Sequence, residues 1–244
     1  MESEKPAAGV RPEGRTAAEI IAGKRVLLFD LFQTLTNTDP WEHSRPHTSE
    51  LLGLDNELWK EMVFHRSRDR LIGRLTDPVE IMMMMAHGID AAVPLEKIRA
   101  AAENRIERFK ETLSNISPRV IRTLEELRRR GYRLGLVSNA DFTETIGWPG
   151  SPLEDLFDTV VFSCEAGYAK PEPEIYRIAL ERLGAEADEA VFIGDGSSGE
   201  LEGARRAGLD TVMAAGVIRR IWPWEIDVRA AHADAIVEVI DQLL

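Results

Sequence analysis

The chain reads as an α/β protein: a Rossmann-like, doubly wound parallel sheet carrying an inserted helical cap domain. Three observations predict this. Five short apolar runs recur, RVLLF (25–29), YRLGLVS (132–138), DTVVFS (158–163), AVFIG (190–194) and DTVMA (210–214), and none alternates cleanly, as expected of strands covered on both faces. Helical patterns separate the later runs, and strand–helix alternation is the mark of a parallel sheet wrapped by helices. Finally, about a hundred residues lie between the first run and the second, where a βαβ crossover needs only a dozen or more.

The N-terminal stretch, MESEKPAAGVRPEGRT, is polar and lacks the apolar centre of a signal peptide. Residues 1–20 are expected to form a flexible tail. The α/β core is assigned to residues 21–35 and 117–244, and the insertion to 36–116. Within the insertion stand three amphipathic blocks, SELLGLDNELWKEMVFHRSRDRL, DPVEIMMMMAHGI and PLEKIRAAAENRIERFKETL. Asp77-Pro78 opens the second and Pro94 the third, both start signals for helices. Met82 to Met85 read as packing residues, because thioether side chains fill irregular gaps. The insertion leaves and re-enters at the C-terminal edge of the sheet, where α/β folds bind ligands, so a cap over a site is the expectation. The core resumes at Ser117, an N-cap with Pro118 in the first turn and Gly131 as a stop. Further helices are expected up to Gly184, up to Gly208, and over the closing DAIVEVIDQLL.

With 44% hydrophobic and 30% charged residues in 244, the chain has enough apolar material for an ordinary packed core. A net charge of -12 argues against a general nucleic-acid binder, while a local positive pocket for an anionic small molecule stays open. No window approaches the ~18 apolar residues of a membrane helix, so a cytoplasmic protein is expected. The single cysteine, Cys164, sits in an apolar run and reads as a buried structural thiol. The oligomeric state is not legible.

Polar groups stand at four strand ends. Asp30 follows the first run, Ser138 and Asn139 end the second, Lys170 follows the third, and Asp195 follows the fourth. Strand ends converge at a switch point. Two carboxylates, a lysine and hydroxyl or amide donors suit phosphoryl transfer: a carboxylate nucleophile, a divalent cation, and neutral or cationic groups to hold the spread charge.

FDLFQTLT, LVSN, AKPEPEIY and IGDGSSGELEGARRAG, in that order, resemble the four motifs of the haloacid dehalogenase-like hydrolases, and the insertion after the first motif resembles that superfamily's helical cap class. The resemblance runs from Arg25 over nearly all the chain. It implies that Asp30 is a nucleophile forming an aspartyl intermediate. It also implies that Ser138, with Asn139 beside it, binds the transferring group, and that Lys170 neutralises Asp30 and the phosphoryl oxygens. Mg²⁺ would be held by Asp30, Asp195 and the backbone carbonyl of Phe32, with Thr34 shaping the turn. Oxygen ligands of this kind suit that ion.

Two positions depart from the pattern. Where the family's phosphatases carry a second Asp that protonates the leaving group, this chain has Phe32. Such acid–base help is typically worth ~10²–10⁴ in rate. The leaving group could need no proton, as in an acyl phosphate. The acid could come from the insertion (His43, His47, His65, Glu61), the reaction could lie at carbon, or the protein could be a degenerate binder. A metal-independent 2-haloacid dehalogenase is the main alternative to a Mg²⁺-dependent phosphatase: an aromatic residue is common there at the Phe32 position, and Arg66, Arg68 or Arg70 could hold a substrate carboxylate. Gly194-Asp195 favours the phosphatase, since a second carboxylate facing Asp30 wants a cation between them. The other departure is Glu200, where the pattern has Asp. It could reach a metal-bound water, or serve only the helix N-terminus. The GDGSSG glycines, Gly194, Gly196 and Gly199, also match a dinucleotide fingerprint, but on the fourth strand and with Asp195 in the way of a pyrophosphate.

Overall fold

The computed structural model describes residues 17–36 and 45–214. The closing helix and the Trp-rich 219–232 stretch fall outside these, as does His43. In chain order the elements are α1 (Ala17–Ile21), β1 (Val26–Phe29), α2 (Thr48–Leu52), α3 (Asn56–Glu61), a π-helical turn (Met62–Arg66), α4 (Arg68–Leu71), α5 (Pro78–His87), α6 (Leu95–Ser114), α7 (Pro118–Arg129), β2 (Arg133–Ser138), α8 (Phe142–Thr145), β3 (Thr159–Phe162), α9 (Ser163–Ala166), α10 (Pro173–Leu183), β4 (Ala190–Gly194), α11 (Glu200–Arg206) and β5 (Asp210–Met213).

The five apolar runs are the five strands. They form one parallel sheet in the order β3-β2-β1-β4-β5. β1 is central, and all four of its residues are buried, which is why its sequence is continuously apolar rather than alternating. Two apolar layers cover the sheet. One gathers α1, α6 and α7 residues such as Ile21, Leu113 and Leu124 over Leu27, Phe29 and Leu136. The other sets Ile175, Tyr176 and Ala179 of α10 over Leu28, Val137 and Phe192. The order reverses direction at β1, because the chain steps to β2 and β3 on one side and to β4 and β5 on the other. That reversal opens a crevice at the carboxyl ends of β1 and β4.

Local signals act as the sequence foretells. Ser117 Oγ accepts from the Arg119 backbone N–H at 3.3 Å and opens α7. Asp77 caps α5 through Val79 and Glu80. Two details differ. The first five-residue helix starts at Ala17, inside the expected tail, because Ile20 and Ile21 pack on the core. The first helical block of the insertion is also not one helix. Gly53 adopts the left-handed conformation (φ 72°) and ends α2, Asp55 caps a new start, and the π turn breaks the run again before α4.

Residues between β1 and α7 contain no strand among those described. They bury their own apolar cluster, in which Met82 and Met85 of α5 meet Trp59, Met62, Ile98 and Ala101. α6 belongs to both bodies, with Ile98 in the cluster of the insertion and Leu113 in that of the sheet. Among the described residues no helix is long and apolar enough to cross a membrane.

Candidate active site

Asp30 sits one residue beyond β1, and its backbone N–H donates to Ile193 O at 2.9 Å. Continuing the ladder register places Ser138 and Asp195 on either side of the 30–31 peptide. The chain then turns sharply. Leu31 O accepts from the N–H groups of Thr34, Leu35 and Thr36 at 3.3, 2.8 and 3.1 Å, and Gln33 takes a positive φ of 65° to allow it. Asp30 is thus fixed at the mouth of the central strand with 4% of its surface exposed.

Lys170 reaches the same point from the loop after β3. Its Nζ lies 2.5 Å from Asp30 Oδ1 and 2.6 Å from Glu200 Oε2. Asn139 holds that loop: its amide nitrogen donates to Lys170 O at 2.9 Å, and its amide oxygen accepts from the Lys170 N–H at 2.7 Å. Asn139 therefore acts on Lys170's backbone, while the neighbouring Ser138 hydroxyl is buried without a hydrogen-bond partner among the described residues.

Glu200, left ambiguous by the sequence, is the residue whose role the fold enlarges. It is fully buried at the start of α11. Oε2 takes the Lys170 ammonium and Oε1 accepts from Gly196 N–H at 2.9 Å. Gly194 must be glycine for this, since a Cβ there would stand 2.2 Å from Glu200 Oε1. The first glycine of GDGSSG thus makes room for a carboxylate, which a pyrophosphate-binding loop would not want. Asp195 Oδ1 accepts from Ser197 N–H at 2.9 Å. Oxygen atoms of Asp30, Asp195 and Glu200 all lie within 4.8 Å of one another.

The electrostatics follow from burial. Removal from water pushes the Asp30 carboxyl up, against the pull of Lys170. Burial likewise raises Glu200 to about 8, although Lys170 opposes the shift. For Lys170, burial disfavours the charge, but Asp30 and Glu200 outweigh it and the ammonium is held firmly protonated. Three carboxylates crowd around one ammonium, and their mutual repulsion adds to burial in raising Asp30 and Glu200, a crowding that a divalent cation would relieve. Three polar atoms point the same way. Asp30 Oδ2, Ser138 Oγ and Thr34 Oγ1 are buried without a hydrogen-bond partner among the described residues, a costly condition that a bound ion or ligand relieves. The donor set therefore fits a hard cation with oxygen ligands.

Phe32 turns to the insertion. Its ring meets Phe109 of α6 edge-on, centroids 5.2 Å apart at 75°, and the Arg105 guanidinium lies 4.8 Å over Phe109. Of the arginines considered for a substrate carboxylate, Arg68 is paired with Glu172. Arg70 is buried against Asp141 and Glu144, and Arg66 stays exposed. His47 is engaged as the cap of α2, while His65 and Glu61 are exposed. Cys164 is buried and its thiol is pushed up to about 12, chiefly by burial, so it is no nucleophile.

A family model described as haloacid dehalogenase-like hydrolase matches residues 24–208. The chain belongs to the haloacid dehalogenase-like hydrolases. Curated relatives include a glyceraldehyde 3-phosphate phosphatase of Methanopyrus kandleri, 36% identical over 124 residues, which are 50% of this chain and 52% of the relative. A pyrophosphatase PpaX of Bacillus velezensis is 37% identical over 101 residues, 41% and 46% of the two chains. The chain spans about half the length of the curated relatives it matches. Among solved structures, a haloacid dehalogenase-family enzyme of Bacteroides thetaiotaomicron in a magnesium complex is 27% identical. That match covers 78% of this chain and 93% of the other, with a TM-score of 0.57.

Proposed function

We propose that this hydrolase cleaves a small phosphorylated substrate with a good leaving group, such as an acyl phosphate or a phosphoric anhydride, through an aspartyl phosphate on Asp30. The observation that carries the reading is the meeting of Asp30, Asp195, Glu200 and Lys170 at one point, with Asp30 Oδ2 buried and without a hydrogen-bond partner among the described residues. Phosphatases among the relatives support it. The catalytic set is Asp30, Ser138, Asn139 and Lys170. Asp30 and Asp195 would hold Mg²⁺, with the Phe32 carbonyl as a third ligand and Glu200 beside them. The ion would supply charge neutralisation and polarise the phosphoryl group. Residues 36–116 would form the cap domain over this crevice, in a cytoplasmic protein acting on an anionic small molecule.

In the first step an Asp30 carboxylate oxygen attacks phosphorus, and the bond from phosphorus to the leaving group breaks with its electron pair on the leaving group. Ser138 donates its hydroxyl to a phosphoryl oxygen, and Lys170 offsets the negative charge as Asp30 changes from carboxylate to acyl phosphate. Asn139 keeps Lys170 in place through its backbone. Water then attacks the phosphoryl group, releasing inorganic phosphate and regenerating the Asp30 carboxylate. Phe32 and Phe109 offer neither proton nor base beside Asp30, so a leaving group that departs unprotonated is favoured.

The test compares acetyl phosphate, pyrophosphate and an alkyl phosphate, with and without EDTA, and adds 2-chloropropionate. EDTA-sensitive phosphate release from the first two substrates is expected. EDTA-insensitive chloride release, or no turnover and no ion bound, overturns the reading in favour of a dehalogenase or a binder.

A further inference from the structure

We propose that Arg70 and Arg105, two arginines of the insertion, are positioning residues for Ser138: through Asp141 and Glu144 they fix the 138–141 loop that aims its hydroxyl into the site. This rests on the phosphatase reading, in which Ser138 binds the phosphoryl group.

The four charges form a closed, buried set. Arg70 Nη1 lies 2.6 Å from Asp141 Oδ2 and 3.2 Å from Glu144 Oε2. Arg105 Nη2 pairs with Glu144 Oε1 and stands 3.9 Å from Asp141 Oδ2, and its Nε donates to Thr143 Oγ1 at 3.3 Å. Exposure is 2% for Arg70, 6% for Arg105, 0% for Asp141 and 6% for Glu144. Two cations and two anions cancel, so the set has no charge to spare for a substrate. Buried ion pairs contribute little net stability against an apolar alternative, but moving one partner away leaves an uncompensated buried charge at high cost, so the four groups hold one another in place.

That geometry bears on one loop. Asp141 lies three residues past Ser138 and caps α8 through Thr143 N–H at 2.8 Å and Glu144 N–H at 3.2 Å. On the other side Ser163 Oγ accepts from Ala140 N–H at 3.0 Å and donates to Ala140 O at 3.2 Å. Ser138 Oγ itself has no partner among the described residues, so its aim is set by these neighbours rather than by a bond of its own. The arginines come from separate parts of the insertion, α4 and α6. Both lie far from Ser138 in sequence, yet they are anchored: Arg70 Nε and Nη2 donate to Ser67 Oγ at 2.8 Å and Val63 O at 2.9 Å. Gly73 lets the insertion pack closely onto α9, since a Cβ there would stand 2.0 Å from Cys164 O. Seating of the insertion and shaping of the phosphoryl-binding loop are therefore one structural event.

A double-mutant cycle tests this on the full chain. Isothermal titration with Mg²⁺ alone, then with inorganic phosphate in saturating Mg²⁺, is run on the unaltered protein, Arg105→Met, Ser138→Ala and the double variant. If Arg105 acts through Ser138, Arg105→Met weakens phosphate about tenfold in the unaltered background but less than about twofold once Ser138 is alanine, with Mg²⁺ affinity unchanged. Arg105→Lys, which keeps the charge and loses the fork, falls between. An equal loss in both backgrounds, or no loss, overturns the positioning role and leaves the phosphatase reading intact. If Arg105→Met fails to fold, Thr143→Val, which removes the hydroxyl that accepts from Arg105 Nε and donates to Asp141 Oδ1 and so loosens the same cluster, replaces it in the same cycle with the same criterion. Absence of Mg²⁺-dependent phosphate binding in the unaltered protein overturns the phosphatase reading and this inference together.

Discussion

Replacing Phe32 with aspartate is the sharpest probe of what the missing acid means. The ring is half-buried and edge-on to Phe109. Losing such an aromatic pair removes about 0.5–1.5 kcal/mol beyond area burial. Withdrawing roughly half of a buried phenylalanine's transfer energy adds about 1 kcal/mol. A total near 2 kcal/mol corresponds to a drop in melting temperature of about 4–8 °C for a chain of this size, so Phe32→Asp is expected to stay folded at 25 °C. A carboxyl two residues after Asp30 can protonate a departing alkoxide. The variant should therefore hydrolyse an alkyl phosphate ~10²-fold or more faster, within the range of acid–base catalysis, while acetyl phosphate turnover changes less than about threefold. Steady-state phosphate release from both substrates, with a melt of each protein, gives the answer. An equal change for the two substrates, or none in a variant that melts as expected, refutes the argument that the leaving group is what Phe32 restricts.

Ser138→Ala removes a hydroxyl that is buried without a partner among the described residues. It should lower kcat by ~10²-fold, as removal of one transition-state donor does, with an unchanged melting temperature; a loss of stability in place of activity would contradict its assignment. A pH effect is also expected. Glu200 is raised to about 8 when folded, against 4.5 for an ordinary glutamate, so between those values the folded state holds a proton that the unfolded chain has released. The contribution of Glu200 to the stability of the ion-free protein is thus full below about 4.5 and is lost as pH rises through about 8. Mg²⁺ relieves the same crowding of charge, and the gain in melting temperature on adding it should be larger at pH 8.5 than at pH 6. The reverse order, read by calorimetry, would be contrary to the charge account.

Much of this was readable before the fold was known. All five strands were visible as apolar runs, because a strand buried on both faces has no choice of composition. Asp30, Ser138 and Asp195 are legible because each directly follows or ends such a run, and Lys170 because it stands in AKPEPEIY after the third; strand ends converge by geometry. Glu200 and Asn139 were harder. Whether Glu200 serves a helix end or a buried ion pair depends on the space left by Gly194, which only the folded backbone reveals. Whether Asn139 faces the ligand or Lys170's backbone depends on which loop lies opposite. The Arg70–Arg105–Asp141–Glu144 set had no periodic signal: its members are 71 and 39 residues apart across their main contacts, and charged residues on helices usually face water. The break of the first insertion block was encoded locally, in Gly53 and Asp55, but amphipathic spacing runs across both and hides it.

The central claim is that Asp30 and Asp195 share a divalent cation. Its most direct test is Mg²⁺ titration calorimetry on the unaltered protein and on Asp195→Asn at pH 8. One ion per chain, with affinity lowered at least tenfold in the variant, is the predicted result. Equal affinity in the two proteins, or heat of binding in neither, would contradict it.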